Sequence, residues 1–180
     1  MIVVGFVGAE GRDGELAFEV ARRAATGTGA RVEMVGVVSP DAAGDARLLE
    51  LAAAGIGHAT VVRTGAARLD TADLDLALNY LPEIRAIVLV GPDASLVAPA
   101  AAESGWSGAG LVLVTAKGSA PDTSAVPQAI VLEPPTSDPE ATFAGLVAAL
   151  AVRMEGGEDP TKAWKATASA LVVDPIQPSR

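Results

Sequence analysis

The sequence predicts a doubly wound α/β protein: three layers, α/β/α, around a mostly parallel central sheet. Three observations carry that expectation. Short β-branched runs alternate with Ala- and Leu-rich segments at helical spacing along the chain. Most of the runs are apolar without interruption, as strands covered on both faces require. Strand and helix also alternate in the order that right-handed crossovers onto a parallel sheet demand.

The elements follow in order. Strands are expected at 2–8 (IVVGFVG), 31–38 (RVEMVGVV), 59–63 (ATVVR), 86–91 (AIVLVG), 110–115 (GLVLVT) and 129–132 (AIVL). Helices are expected between and after them at 14–26, 42–54, 72–80, 93–104, 138–154 and 160–171. Residues 117–128 (KGSAPDTSAVPQ) read as a surface loop, because Gly, Pro and Ser break regular structure. With 180 residues, half of them apolar, the chain can bury one substantial core. The expected organisation is a single domain over 1–173 and a tail, DPIQPSR, over 174–180.

Composition excludes several classes of function. A formal charge of −9 repels phosphate backbones and anionic headgroups, so neither nucleic acid nor a membrane surface is an expected partner. The absence of Cys removes thiolate catalysis and Cys-ligated metals, and the single His58 leaves no His cluster. His58 stands beside an expected strand and reads as structural or solvated. The opening MIVVGFVG is short, has no basic segment ahead of it, and reads as a first buried strand rather than a signal peptide. No apolar run reaches the roughly 18 residues that span a bilayer. A cytoplasmic protein is expected.

Candidate sites are few. Gly5, Gly8, Gly11 and Gly14 follow the first strand, but their spacing is not that of a dinucleotide fingerprint, and no G-K-[ST] occurs. They read as a flexible strand-to-helix turn. Asp70, Asp73 and Asp75 lie near a helix start, where carboxylates cap and meet the dipole more often than they bind metal. Asp159 and Pro160 read as an N-cap and a first helical position, and Trp164 as core or interface. In GVVSPDAAGDARLLELAAAGI (36–56), Asp41 can cap the helix beginning at Ala42, and Gly55 can end it in a left-handed C′ position.

That last segment, with Asp41, Gly44, Gly55 and Ile56 in place, resembles the G-x-V-G-x-D-x-x-G…L…G-V signature of ribokinase-like (PfkB-type) carbohydrate and nucleoside kinases. The order of the remaining pieces, 73–91, 111–120 and 142–173, is similar to the same family. The resemblance is diffuse and covers most of the chain. It implies a ribokinase-like core with ATP and a sugar or nucleoside as ligands.

The departures from the family pattern bear on activity. Only Gly11 and Arg12 stand between Glu10 and Asp13, where the family inserts lid strands over the sugar. Glu10 replaces a sugar-contacting Asp. In the family's G-G-x-x-x-N at the first helix, Gly14 is kept and Phe18 stands for the Asn that would bond a sugar hydroxyl. In LEPPTSDPEATFAGLVAAL (132–150), the resemblance places Asp138, Pro139, Glu140 and Ala141 where the family carries G-A-G-D, its anion hole and general base. Ala141 accepts no proton and Pro139 lacks an N–H. Carboxylates at Asp138 and Glu140, about 4 Å from a phosphate, would each cost about 1–4 kcal/mol. On its own terms, Ser137 followed by Glu140 reads as a capping box, with Phe143, Leu146, Val147, Leu150 and Met154 as the apolar face behind it.

The expected function is a non-catalytic, ribokinase-derived binding or assembly module with no cofactor. It would partner a second copy of itself or another protein. The alternative is a reduced small-molecule kinase or nucleotide-binding protein, for which ATP and Mg²⁺ would be the cofactors.

Overall fold

The computed structural model describes residues 1–6, 11–66, 68–119, 123–124, 126–138 and 140–172. In chain order these form β1 (Ile2–Phe6), α1 (Arg12–Thr28), β2 (Val32–Val38), α2 (Ala42–Ala53), β3 (Gly57–Arg63), α3 (Thr71–Tyr80), β4 (Ala86–Val90), α4 (Ala94–Ser107), β5 (Gly110–Val114), β6 (Ile130–Leu132), α5 (Thr142–Glu155) and α6 (Pro160–Val172). All six strands form one sheet in the order β3-β2-β1-β4-β5-β6, every pairing parallel. This is the doubly wound architecture the alternation predicts, with a sheet wholly parallel.

Strand composition explains the burial. β1, β2, β4 and β5 are buried at every position, because each has helices above and below. Successive side chains alternate between two cores. Ile2, Val4, Val88, Val90, Val112 and Val114 face α1, α2, α5 and α6. Val3, Ile87, Leu89, Leu111 and Leu113 face α3 and α4. α1 and α5 pack against each other through small residues, including Ala17, Ala21, Ala24, Ala144, Ala148 and Ala151, which let two helices approach closely. Among the described residues no helix is long and apolar enough to cross a membrane.

Local chemistry accounts for the D-x-x-G turn. Asp41 caps α2, accepting the N–H groups of Ala43 at 3.0 Å and Gly44 at 3.1 Å and the Ser39 hydroxyl at 2.6 Å. The Ser39 hydroxyl, and after it the Gly44 N–H, hold the Asp41 carboxyl below its ordinary pKa. Gly44 cannot carry a side chain, because a Cβ would collide with the Ser39 carbonyl oxygen. Gly55, at φ 69°, ends α2 as expected. Asp70 caps α3 through the Asp73 N–H, and Asp159 caps α6 through those of Thr161 and Lys162. Trp164 is half-buried against the α1/α5 core.

Several expectations are corrected or fall outside the description. β3 begins at Gly57 rather than 59. The register between β2 and β3 is irregular there, and the buried Glu33 carboxylate accepts the Ala59 N–H at 3.0 Å. α5 begins at Thr142, not near 138, and the cause lies in the candidate site. Residues 7 and 8 of the first expected strand, and the tail 174–180, lie outside the described residues.

Candidate functional site

Ligands of open parallel sheets bind beyond the carboxyl ends of the strands, above all where neighbouring crossovers leave in opposite directions. Here that point lies between β1 and β4, with α1 on one face and α4 on the other. Gly91, just past β4 with φ 65°, stands so near Asp13 that a Cβ there would collide with the Asp13 carboxylate. The α1 terminus beside it has no side-chain cap and carries Asp13 and Glu15 in its first turn. Its positive dipole end already has anionic company.

The second helix terminus at this end of the sheet belongs to α5. β6 leads through Glu133, Pro134 and Pro135 to a tight turn in which the Ala141 N–H bonds the Asp138 carbonyl at 3.1 Å. Ala141 adopts φ 51°, ψ 34°, the left-handed region, and serves as the N-cap position without a side-chain bond. The Asp138 carboxylate then reaches over the helix start. Its Oδ1 accepts the Thr142 N–H at 2.8 Å and its Oδ2 the Phe143 N–H at 2.9 Å. Two of the helix's free N–H groups, the raw material of an anion hole, are held by the chain's own carboxylate.

The Ser137–Glu140 capping box is therefore overturned. The cap is Asp138, and the helix starts four residues later than that box requires. The expected apolar face nonetheless packs on the core. Val147, Leu150 and Met154 are buried with Ala144, Ala148 and Ala151, while Phe143 and Leu146 are half-buried. Glu140 is exposed. Pro139 lies outside the described residues.

Three arginines complete the site. Arg12 donates to the Pro135 carbonyl, and Arg23 donates to the Glu140 carbonyl at 3.2 Å, so α1 grips the 135–140 turn at both ends. Glu19 orients Arg23, taking its Nε at 2.6 Å, and also accepts two bonds from Arg22. The Arg22 hydrogen bond is the main reason the Glu19 carboxyl sits below its ordinary pKa, against a desolvation effect in the other direction. Beside the turn is a hollow of about 370 Å³. Glu15, Glu19 and Asp138 line it against one arginine, Arg12, a poor setting for a polyphosphate.

Between α1 and α2, Phe18 is half-buried with the Arg47 guanidinium 4.7 Å from its ring centroid, and Arg47 is bridged to Glu15 and, at 3.0 Å, to Glu50. The space left between these groups, Gly14, Phe6 and Met34 is about 30 Å³, room for a water molecule and not for a sugar. Glu10 lies outside the described residues. Among the described residues no three His, Asp or Glu side chains group as metal ligands would. The arginine contacts had no sequence signal, since their partners lie 117 and 123 residues away.

No family model and no curated protein matches the chain. Solved structures do. The crystal structure of Sa239 covers 98% of this chain and 95% of its own, with a TM-score of 0.62 and 11% identity. The fructokinase of Xylella fastidiosa covers 93% of this chain and 66% of its own, at TM-score 0.48 and 14% identity. The fructokinase structure from that organism with bound ATP aligns at TM-score 0.45 and 16% identity, over 93% and 68%. The likeness to Sa239 is one of fold, and the chain spans about two thirds of the length of the fructokinases.

Proposed function

We propose that the chain is a non-catalytic, ribokinase-derived protein of the cytoplasm that works as a binding or assembly module, with a second copy of itself or another protein as partner. The observation that carries this reading is the Asp138 carboxylate seated on the Thr142 and Phe143 N–H groups. A phosphoryl group needs those donors free, since its transfer is mostly positioning and stabilisation of charge. To enter, it would have to displace two charge-assisted bonds, each worth at most about 1.5–3 kcal/mol net of exchange with water. It would then face Glu15 and Glu19, with Arg12 in the same hollow and Arg23 already held by Glu19 and the Glu140 carbonyl.

The base is missing as well. Ala141 holds the turn's left-handed position and has no group to take a proton from a hydroxyl. Loss of a general base costs about 10²–10⁴ in rate, and loss of an oxyanion donor about 10²–10³. The Phe18–Arg47 stack adds a third reason, filling the space where a sugar hydroxyl would be read.

Calorimetric titration with ATP and Mg²⁺, followed by an ADP-release screen over sugars, sugar phosphates and nucleosides, tests the reading. No heat of binding and no turnover above background are expected. Micromolar ATP binding would favour the nucleotide-binding alternative, and turnover with any hydroxyl acceptor would overturn the proposal.

A further inference from the structure

We infer that the outer edge of β3 is a two-fold interface at which a second copy of this chain extends the sheet, an inference that rests on the assembly role proposed above and gives it a surface. β3 is the last strand on its side of the sheet, so its outer backbone N–H and C=O groups form a pairing template. Of the five large apolar side chains exposed among the described residues, Leu49, Val62 and Tyr80 lie on the side of this edge. Leu76 points outward from α3, and Trp106 lies on α4.

Their placement follows from neighbouring contacts. Val62 pairs in register with Val37, whose side chain belongs to the α3/α4 core, so it lies on that face of β3. On α3, Leu74, Ala77 and Leu78 point into the core, and Asp75 and Asn79 border the hollow shared with α4. Tyr80 is left on the opposite flank, towards β2, and Leu76 points outward from the sheet. On α2, Arg47 reaches Phe18 of α1, whereas Asp45 bridges Arg63 of β3 at 2.7 Å. Leu49, one turn on from Asp45, is on the β3 flank.

Charge selects the occupant and its orientation. A two-fold axis perpendicular to the sheet near Thr60 pairs β3 antiparallel with its copy and keeps matching faces together. It brings Leu49 towards the partner's Leu49, and Tyr80 to the level of the partner's Val62. It also sets Arg63, on the α2 face, beside the end of α2 in the partner subunit. That last turn carries no basic residue, so the guanidinium meets the negative end of a helix dipole. The strand Gly57–Arg63 contains no acidic residue, so no carboxylate of β3 faces another across the join.

The chain has no Cys, so a Leu49→Cys variant carries a single thiol. Light scattering should give the wild type twice the 18.0 kDa chain mass at high micromolar concentration. Mild oxidation should link Leu49→Cys into a covalent dimer and leave Trp106→Cys unlinked. The double variant Leu49→Lys/Val62→Lys should lose the dimer with an unchanged circular dichroism spectrum. A monomeric wild type, cross-linking through Trp106 in place of Leu49, or a folded double variant that stays dimeric would overturn the interface. Should the lysine variant fail to fold, the cysteine pair decides. A protein that binds ATP yet cross-links through Leu49 loses the non-catalytic reading and keeps this one. An ATP-inert monomer does the reverse.

Discussion

Replacing Asp138 with Ala removes both acceptors at the start of α5 and leaves the Thr142 and Phe143 N–H groups to solvent. Loss of a good N-cap costs about 0.5–2 kcal/mol, and loss of a negative charge near the helix's positive end adds about 0.3–1 kcal/mol. Asp138 is only half-buried, and water partly replaces what is lost, so about 1.5–2 kcal/mol is expected. For a chain of this size that lowers Tm by roughly 3–8 °C. Asp138→Asn, which keeps one acceptor oxygen, should lose about half as much. Ser137→Ala, by contrast, should stay within about 0.5 kcal/mol. Urea denaturation of the three variants ranks them directly. A Ser137→Ala loss equal to or larger than that of Asp138→Ala would refute the assignment of the cap. The same variant carries a second readout, because freed N–H groups at a helix start attract anions. Millimolar inorganic phosphate should raise the thermal midpoint of Asp138→Ala and leave that of the wild type where it was. Equal shifts in both would mean that the carboxylate is not what closes the site.

Ala141→Gly should stabilise the protein by about 0.5–1 kcal/mol, since Gly adopts φ 51° without the steric cost an L side chain bears there; a loss of stability in chemical denaturation would contradict the turn geometry. Thr115→Val should be neutral or raise stability by about 1 kcal/mol, because the Thr115 hydroxyl is buried with no hydrogen-bond partner among the described residues; a clear loss would point to a partner. Glu19 has a lowered pKa in the folded protein, so its stabilising contribution is present above the ordinary carboxylate value of 4.5 and is lost as pH falls through its lower folded value. Glu19→Gln should therefore flatten the acid limb of the stability profile below about pH 4.5, and an unaltered limb would show that its bonds to Arg22 and Arg23 are idle.

The strands were legible because continuous Val, Ile and Leu runs such as AIVLV and GLVLV have few other ways to be buried. The D-x-x-G turn was legible as a cap because a side-chain acceptor two and three residues before its donors is a short-range pattern. The α5 start was misread for a physical reason. Its cap stands four and five residues ahead of the N–H groups it takes, and reaches them only because Ala141 turns the chain through a conformation that sequence reasoning assigns to Gly or Asn. The absence of glycines from 138–141 was visible in the letters. That the Asp138 carboxylate sits on the Thr142 and Phe143 N–H groups, while Glu140 is exposed, depended on backbone direction. Phe18 was read as a missing hydrogen bond, and its cover by Arg47 required knowing that α1 and α2 lie side by side.

Arg12 and Arg23 hold the turn before α5 by its carbonyl oxygens at Pro135 and Glu140. A carbonyl oxygen is the same atom whatever side chain follows it, so this grip is blind to the identity of the residues gripped. Substitutions in the turn alter its chemistry while the two guanidinium anchors go on fixing its path. A segment fastened in this way can exchange one set of side chains for another, generation after generation, without coming loose from the helix beside it. The path of the turn is in this manner independent of what its side chains do.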